Sequence, residues 1–481
     1  MKLIPAQLDR ACGVLLATAA GDAVGAGYEF GPPLPDDTVI EMAGGGPFGW
    51  QPGEWTDDTA MAIAIAETAA TGADLRTITA QDQVVSRWEE WAQTASDVGS
   101  QTRHVLSQVA GGGAAAAAAA SAGLHRRTGK TAGNGALMRT APVALAFLDD
   151  DLHGLAEAAR SLSGLTHFDP EAGDACVLWC LAIRHAVLTG EPDVRAGLPC
   201  LPDDRRAAWS QRLEVAERSR PADFTRNGWV VEALQAACSA IITTPVPVGD
   251  PVAGTFRAGH LRLSLEHAVR GGRDTDTVAA IAGGLLGARW GASAVPAAWR
   301  LRLHGWPASK PHDLVDLACA IARGGEPDPF DFSYADREFR QPVVSHPYDD
   351  GLLLGDLSAL RDLPAGVDAV VSLCRVGPQD APKVAEWVEV RLIDHNGAEY
   401  NPNLDFVLHD TVTTLERLRS AGRTVLLHCV EARSRTAVVA ALYGMRRRPV
   451  APDQMLAELR QVLPQADPIA DFRAALERFA G

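Results

Sequence analysis

The sequence has no C-x-x-C pair, and its 8 cysteines are scattered over 481 residues. That spacing excludes zinc-ribbon and dithiol redox arrangements and reads as reduced thiols in cores. No basic, then apolar, then small-residue leader opens the chain. The first stretch, MKLIPAQLDRACGVLLATAAGD, carries Asp9 and Arg10 inside its apolar part and reads as an ordinary helix. No apolar run is expected to be long enough to span a bilayer, so a cytoplasmic protein with no membrane partner is expected. Cations are the minority charge: 44 Lys and Arg face 60 Asp and Glu, a net −16, which argues against bulk nucleic-acid binding. A phosphorylated ligand stays compatible where metals or local donors offset the repulsion.

Strand signals are nearly absent from the first 325 residues. Small and apolar residues recur there at helical spacing, as in TAMAIAIAETAA after Asp58, DACVLWCLAIRHAVL from Asp174 and VAAIAGGLLGARWG after Thr277. An all-α domain with many small-residue helix contacts is expected over 1–328. GGGAAAAAAASAG at 111–123 reads as a loop running into a helix. Pro, Gly and Asp without periodicity mark a linker at 329–344. From 345 to 481, strand-like GLLLGDL, VDAVVSLC, VEVRLID and RTVLLHC alternate with helical LDFVLHDTVTTLERLRSAG, the texture of an α/β domain. The length, too great for one ordinary core, agrees with two domains.

Two acidic clusters stand out: Thr56, Asp57, Asp58 and Thr59 in WTDDTA, and Asp274, Thr275, Asp276 and Thr277 in GGRDTDTVAA. Each precedes a strong helix, so helix capping is the plain reading. A cap needs one acceptor, however, and four aspartates at two helix starts exceed that need. Brought together without His or Cys, they would repel one another unless a cation intervened. Hard oxygen donors favour Mg²⁺ or Mn²⁺. Two such ions, about 3.5–4 Å apart, would suit activation of a water and orientation of substrate hydroxyls.

GDAVGAGYE (21–29), WTDDTAMAIA (55–64), DVGSQTRHVL (97–106), GNGALMRTAPVAL (133–145), LTHFDP (165–170) and GRDTDTVAAIAG (272–283) stand in the order found in the ADP-ribosylglycohydrolase family, which residues 1 to about 325 resemble throughout. The resemblance implies an all-α fold and a binuclear magnesium site that removes ADP-ribose from a modified protein or small molecule. It makes Thr56, Asp57, Asp58, Asp274, Asp276 and Thr277 the metal ligands, places Glu29 beside them, and makes Asp97 an acid/base candidate near the ribose. It lines the ADP-ribose pocket with Gly133, Asn134, Gly135, Arg139 and His167. Cleavage at the anomeric carbon builds oxocarbenium-like charge that carboxylates can offset. Read without the family, Arg139 could equally be an ion-paired arginine and His167 a packed turn residue. Gly25 and Gly27 could mark close helix packing alone. Arg273 could pair with the aspartates or with phosphate. His104, His125 and His185 carry no assignment.

HCVEARSRT at 428–436 sets Cys429 six residues before Arg435. Cys200 and Arg206 share that spacing by chance; Asp203 and Asp204 in their loop would repel a phosphate. Cys429 instead follows a strand-like run and precedes a helix-like one, so backbone N–H groups and a helix N-terminus would converge on one phosphate and stabilise a thiolate. Arg435 could grip the phosphate bidentately, Thr436 could assist the thiolate, and Asp394 could protonate the leaving alcohol. This half resembles the dual-specificity and tyrosine phosphatase superfamily, which implies a cysteine-based hydrolase of phosphate monoesters with a phosphorylated protein as a partner. Ala432 and Ala437 replace the usual glycines, and Glu431 adds a carboxylate to the loop.

The sequence is thus read as a magnesium-dependent ADP-ribosyl hydrolase fused to a phosphatase-like domain. Two alternatives stay open: a C-terminal module that binds phosphate or ADP-ribose with weak or no catalysis, and a chain that only senses ADP-ribose.

Overall fold

The computed structural model describes residues 2–326 and 341–481. Two compact units emerge. The first gathers Met1–Pro245, His260–Val295 and Arg302–Pro327; the second gathers Val246–Gly259, Pro296–Leu301 and Asp328–Gly481. Most of the expected linker, 329–340, lies outside the described residues.

Along the first part of the sequence the helices are α1 Pro5–Gly25, α2 Asp57–Ala69, α3 Ile78–Ala92, α4 Ser100–Leu106, α5 Gly113–Thr128, α6 Ala141–Ala146, α7 Leu152–Gly164, α8 Pro170–Thr189, α9 Asp203–Ala216, α10 Val230–Thr243, α11 Gly259–Arg270, α12 Thr275–Trp290, α13 Ala297–Arg300 and α14 Pro311–Ala322. α1 is buried almost throughout, because its Ala, Gly and Leu residues leave no polar face. Against it lies α12, and glycines set the approach. A Cβ at Gly21 would stand 2.1 Å from Ala279 O, at Gly283 2.1 Å from Ala17 O, and at Gly287 2.0 Å from Gly13 O. The seam ends where a Cβ at Gly25 would stand 2.5 Å from Asp276 Cα. Gly27 is a packing glycine as well, facing Gly44 O at 2.4 Å. Two indoles reach into helices that begin with the acidic clusters: Trp88 Nε1 donates to Met61 O of α2 at 3.1 Å, and Trp179 Nε1 to Ile281 O of α12 at 3.0 Å.

One expectation fails here. Pro5–Tyr28 and Pro170–Thr189 are long and apolar enough, by length and composition, to cross a bilayer. Their apolar windows are 89% and 72% buried within the protein, which is the signature of core helices rich in small residues.

In the second unit, β1 Val344–His346, β2 Asp349–Gly355, β3 Ala369–Ser372, β4 Glu386–Glu389 and β5 Val425–His428 form one sheet in the order β1-β2-β5-β3-β4. β1 runs antiparallel to β2, and the other pairings are parallel, with Ser372 opposite His428. α15 Ser358–Arg361, α16 Leu404–Ser420, α17 Arg435–Arg447, α18 Pro452–Val462 and α19 Ala470–Ala480 complete it. Leu415, Tyr443, Met455 and Phe472 fill the core. β1 takes Val344 out of the expected linker; three residues between Val343 and Pro347 carry too little pattern to reveal an edge strand. β4 ends at Glu389, so the expected strand VEVRLID keeps only its first two residues and leaves Asp394 in a loop.

Candidate active site

The site begins with an acid inside an apolar helix. Asp22 of α1 is 0% exposed. Its carboxylate accepts Thr56 N at 2.9 Å, Thr59 N at 3.0 Å and Thr59 Oγ1 at 2.6 Å. Asp22 therefore caps α2 from another helix. Neither Thr56, at the start of α2, nor Asp274, at the start of α12, uses its side chain as a cap. The capping reading of the two clusters fails for that reason, and their oxygens are left for something else.

Those oxygens converge. One oxygen each from Asp22, Asp58 and Asp276 lie within 4.8 Å of one another, as do one each from Glu29, Asp274 and Asp276. Thr56 Oγ1 donates to Asp58 Oδ2 at 3.0 Å and is 3.5 Å from both Asp57 Oδ1 and Asp276 Oδ2; Thr277 Oγ1 reaches Asp58 Oδ2 at 3.4 Å. Asp58 and Asp276 are buried, while Glu29, Asp57, Asp97 and Asp274 are half-buried. Burial, and then mutual repulsion, holds Asp57, Asp58 and Asp276 well above the ordinary carboxylate range. The same causes push Glu29 up to about 9 and raise Asp97. Burial raises Asp274 against a hydrogen bond from Asn134, and lifts Asp22 to about 6 against its hydrogen bonds. Glu29 Oε2, Asp58 Oδ1 and Asp276 Oδ1 are buried without any hydrogen-bond partner. Orphaned buried carboxyl oxygens of this kind are costly, and a hard divalent cation fits the all-oxygen donor set.

Beside the cluster, Gly133, Asn134 and Gly135 form a tight turn. Asn134 Nδ2 donates to Asp274 Oδ2 at 2.8 Å and to Asn227 O at 3.0 Å, tying the turn to the acids. The His167 ring lies over the turn: a Cβ at Gly135 would stand 3.0 Å from its Cε1, and one at Gly133 3.3 Å from its Nε2. Arg139, expected along the pocket, is instead sealed in the core at 1% exposure. Its guanidinium lies 3.9 Å from the Trp88 ring centroid and donates to Thr166 Oγ1 at 2.6 Å. Desolvation brings it down to about 9. Arg273 also turns away from the acids, donating to the carbonyls of Ala222 and Gly271 at 3.4 and 3.2 Å. Sequence reasoning overlooked Asp22, Thr166 and Asn227. Asp22 did carry a signal, an acid within a run of Ala and Gly.

In the second unit, Cys429 follows β5 and is 1% exposed. Ala432 of its loop has φ of +52° and is fully buried, the left-handed conformation in which glycine is at ease. Arg435 Nη1 donates to Leu373 O and Leu392 O at 3.2 and 3.4 Å, and Nε lies 3.9 Å from Asp394 Oδ2. Thr436 Oγ1 is buried without a hydrogen-bond partner, and Glu431 is exposed. Under the loop, His428 meets Ser372 Oγ at 2.7 Å, and desolvation lowers it to about 4. The Cys200 match is of another kind: Arg206 is spent on the carbonyls of Leu198, Pro199 and Leu201 and on Asp203.

A model of the family described as ADP-ribosylglycohydrolase matches residues 4–328. The ADP-ribosylarginine hydrolase Tri1 of Serratia proteamaculans (strain 568) is 32% identical over 307 residues, 62% of this chain and 76% of that protein. A solved structure titled ADP-ribosylglycohydrolase-related protein complex is 28% identical, with 66% of this chain and 99% of that one covered at a TM-score of 0.49. A solved structure of human DUSP28 is 24% identical, with 29% of this chain and 94% of that one covered at a TM-score of 0.25. With two-thirds of its length matched to the family model, the chain belongs to the ADP-ribosylglycohydrolase family of hydrolases.

Proposed function

We propose that the first unit removes ADP-ribose from ADP-ribosylated arginine in a reaction that depends on magnesium, manganese being the alternative ion. The observation that carries this reading is the set of converging carboxylates that leaves three buried oxygens unpartnered. The arginine acceptor follows the named activity of the Serratia relative. Thr56, Asp57, Asp58, Asp274, Asp276 and Thr277 would hold the ions, with Glu29 beside them. When bound, such ions supply Lewis-acid stabilisation of substrate oxygens and a hydroxide-like water. The protein's own groups do the rest. Asp97, raised by burial and by Asp274, is the acid/base candidate for proton transfer at the leaving nitrogen. The surrounding carboxylates offset the charge that grows at the anomeric carbon. The Gly133–Gly135 turn leaves room for the diphosphate to approach the backbone. Mass spectrometry of products from a panel of ADP-ribosylated substrates, with magnesium and with chelator, tests this. Equal release under both conditions refutes the metal dependence, and release from serine but not arginine refutes the acceptor.

For the second unit we propose a phosphatase-like loop that accepts a phosphate monoester, supported by Cys429 before a helix, by the free Thr436 hydroxyl and by Arg435 at Asp394. The full chain should turn over p-nitrophenyl phosphate slowly, and Cys429→Ser should abolish that turnover. Phosphate binding without turnover would favour a binding module instead.

A further inference from the structure

His167 stands at the end of a chain of hydrogen bonds whose directions follow from chemistry. Arg139 offers donors only, so at 2.6 Å from its Nη2 the Thr166 oxygen must accept. Thr166 is 0% exposed. Its hydroxyl proton has one other neighbour able to receive it among the described residues, His167 Nδ1 at 2.7 Å. Were Nδ1 to carry a proton and donate to Thr166, the hydroxyl proton would be buried with no acceptor, a cost of about 1–3 kcal/mol. The arrangement that satisfies every group runs Arg139 to Thr166 to Nδ1, and leaves the single ring proton on Nε2. The backbone holds the ring in place as well: His167 N donates to Ser163 O at 2.8 Å, and Gln101 Nε2 to Thr166 O at 2.9 Å.

We propose that Arg139 and Thr166 are positioning residues that fix His167 as a neutral Nε2–H donor, aimed at an oxygen of bound ADP-ribose over the Gly133–Gly135 turn. This rests on the ADP-ribose reading of the first unit. Nε2 has no hydrogen-bond partner among the described residues, and it lies 3.2 Å from the point where a Gly135 Cβ would stand. The glycines thus let the ring edge that carries Nε2 lie close over the turn. Burial and the Arg139 charge hold the imidazole down to about 3, in keeping with a ring that stays neutral. A neutral donor suits a site crowded with carboxylates. It can bond a phosphate or ribose oxygen without pairing with the acids next door.

The test is ¹⁵N NMR of the full chain labelled at histidine, with His167 assigned by the signal lost in His167→Gln. Wild type should show protonated Nε2 and an Nδ1 that accepts a hydrogen bond, unchanged as pH falls from 8 to 5. Thr166→Val should move the Nδ1 signal to that of a nitrogen accepting no bond and weaken ADP-ribose binding by roughly tenfold, the scale of one hydrogen bond to a charged group. Thr166→Ser should restore both. ADP as a second ligand separates the sources: an equal loss places the bond on the diphosphate, and a loss confined to ADP-ribose places it on the distal ribose. A protonated Nδ1 in wild type overturns the proposal without any mutant, as does a Thr166→Val affinity within twofold of wild type. If wild type binds neither ligand, the ADP-ribose reading fails while the tautomer result still stands.

Discussion

Gly25→Ala places one methyl group where the α1–α12 seam has no room for it. Backbone φ is −76° at Gly25, so alanine is conformationally acceptable and only the contact matters. The new Cβ would lie 2.5 Å from both Cα and N of Asp276 and 2.6 Å from Thr275 C. Ordinary contact requires the first turn of α12 to retreat by about 1 Å. Overpacking of this kind costs about 1–3 kcal/mol, and alanine's helix preference returns about 0.5–1 kcal/mol. The two ranges leave a net loss of up to about 2.5 kcal/mol, read as a fall of up to several degrees in the melting temperature of the full chain. Gly164→Ala is the control. Gly164 closes α7 and has nothing within 4 Å of its would-be Cβ, so that variant should melt at or slightly above wild type. A second readout is specific to the site. The turn that retreats carries Asp276, so the rise in melting temperature produced by magnesium should shrink in Gly25→Ala and persist in Gly164→Ala. A Gly25→Ala protein that melts with wild type and keeps its full magnesium response would refute the argument that this glycine sets the cluster.

Asp276→Ala and Asp57→Ala should each abolish magnesium-dependent hydrolysis while circular dichroism shows helix content preserved; near-normal hydrolysis in saturating magnesium would show that the two clusters do not act as one site. Glu29 binds its proton more tightly in the folded chain, rising from 4.5 to about 9, so its contribution favours folding most below pH 4.5 and is lost as pH climbs to 9. Chelated wild type should therefore lose melting temperature across that window, and Glu29→Gln should flatten the fall. Iodoacetamide at pH 6, followed by peptide mass spectrometry, should modify Cys429 before Cys200, with protection by vanadate and faster reaction in Glu431→Ala; reaction of Cys429 only above pH 8, unprotected by phosphate, would leave the loop without a working nucleophile.

Much of the site was legible because its acids break the surrounding pattern. Asp57–Asp58 and Asp274–Asp276 stand at helix starts in more copies than caps require, and the structure shows that neither Thr56 nor Asp274 serves as a side-chain cap. Asp22 escaped because the residues it serves lie 34 and 37 positions away, a relation no local spacing encodes. Arg139 misled for a related reason. A motif holds the residues that face a pocket together with those that brace it from behind, and only burial tells them apart. The small-residue helices were visible, yet their Ala and Gly content also lifted two of them to membrane-like hydropathy. The parallel strands around Cys429 stood out as short β-branched and leucine runs, whereas β1 is three residues long and the true end of β4 depended on pairing with β3.

The indoles of Trp88 and Trp179 acquire a purpose from the two helices whose carbonyls they bond. Glycine and alanine faces let two helices come close, but such faces are smooth. They lack the large knobs that lock one helix along the axis of another. A slip of one residue would carry a helix start about 1.5 Å along its axis, enough to spoil a cluster whose carboxylate oxygens lie within 4.8 Å of one another. Each indole bonds a carbonyl inside the helix whose first turn bears the acids, at Met61 in α2 and Ile281 in α12. The glycines fix how near the helices lie, and the tryptophans act as stops against sliding.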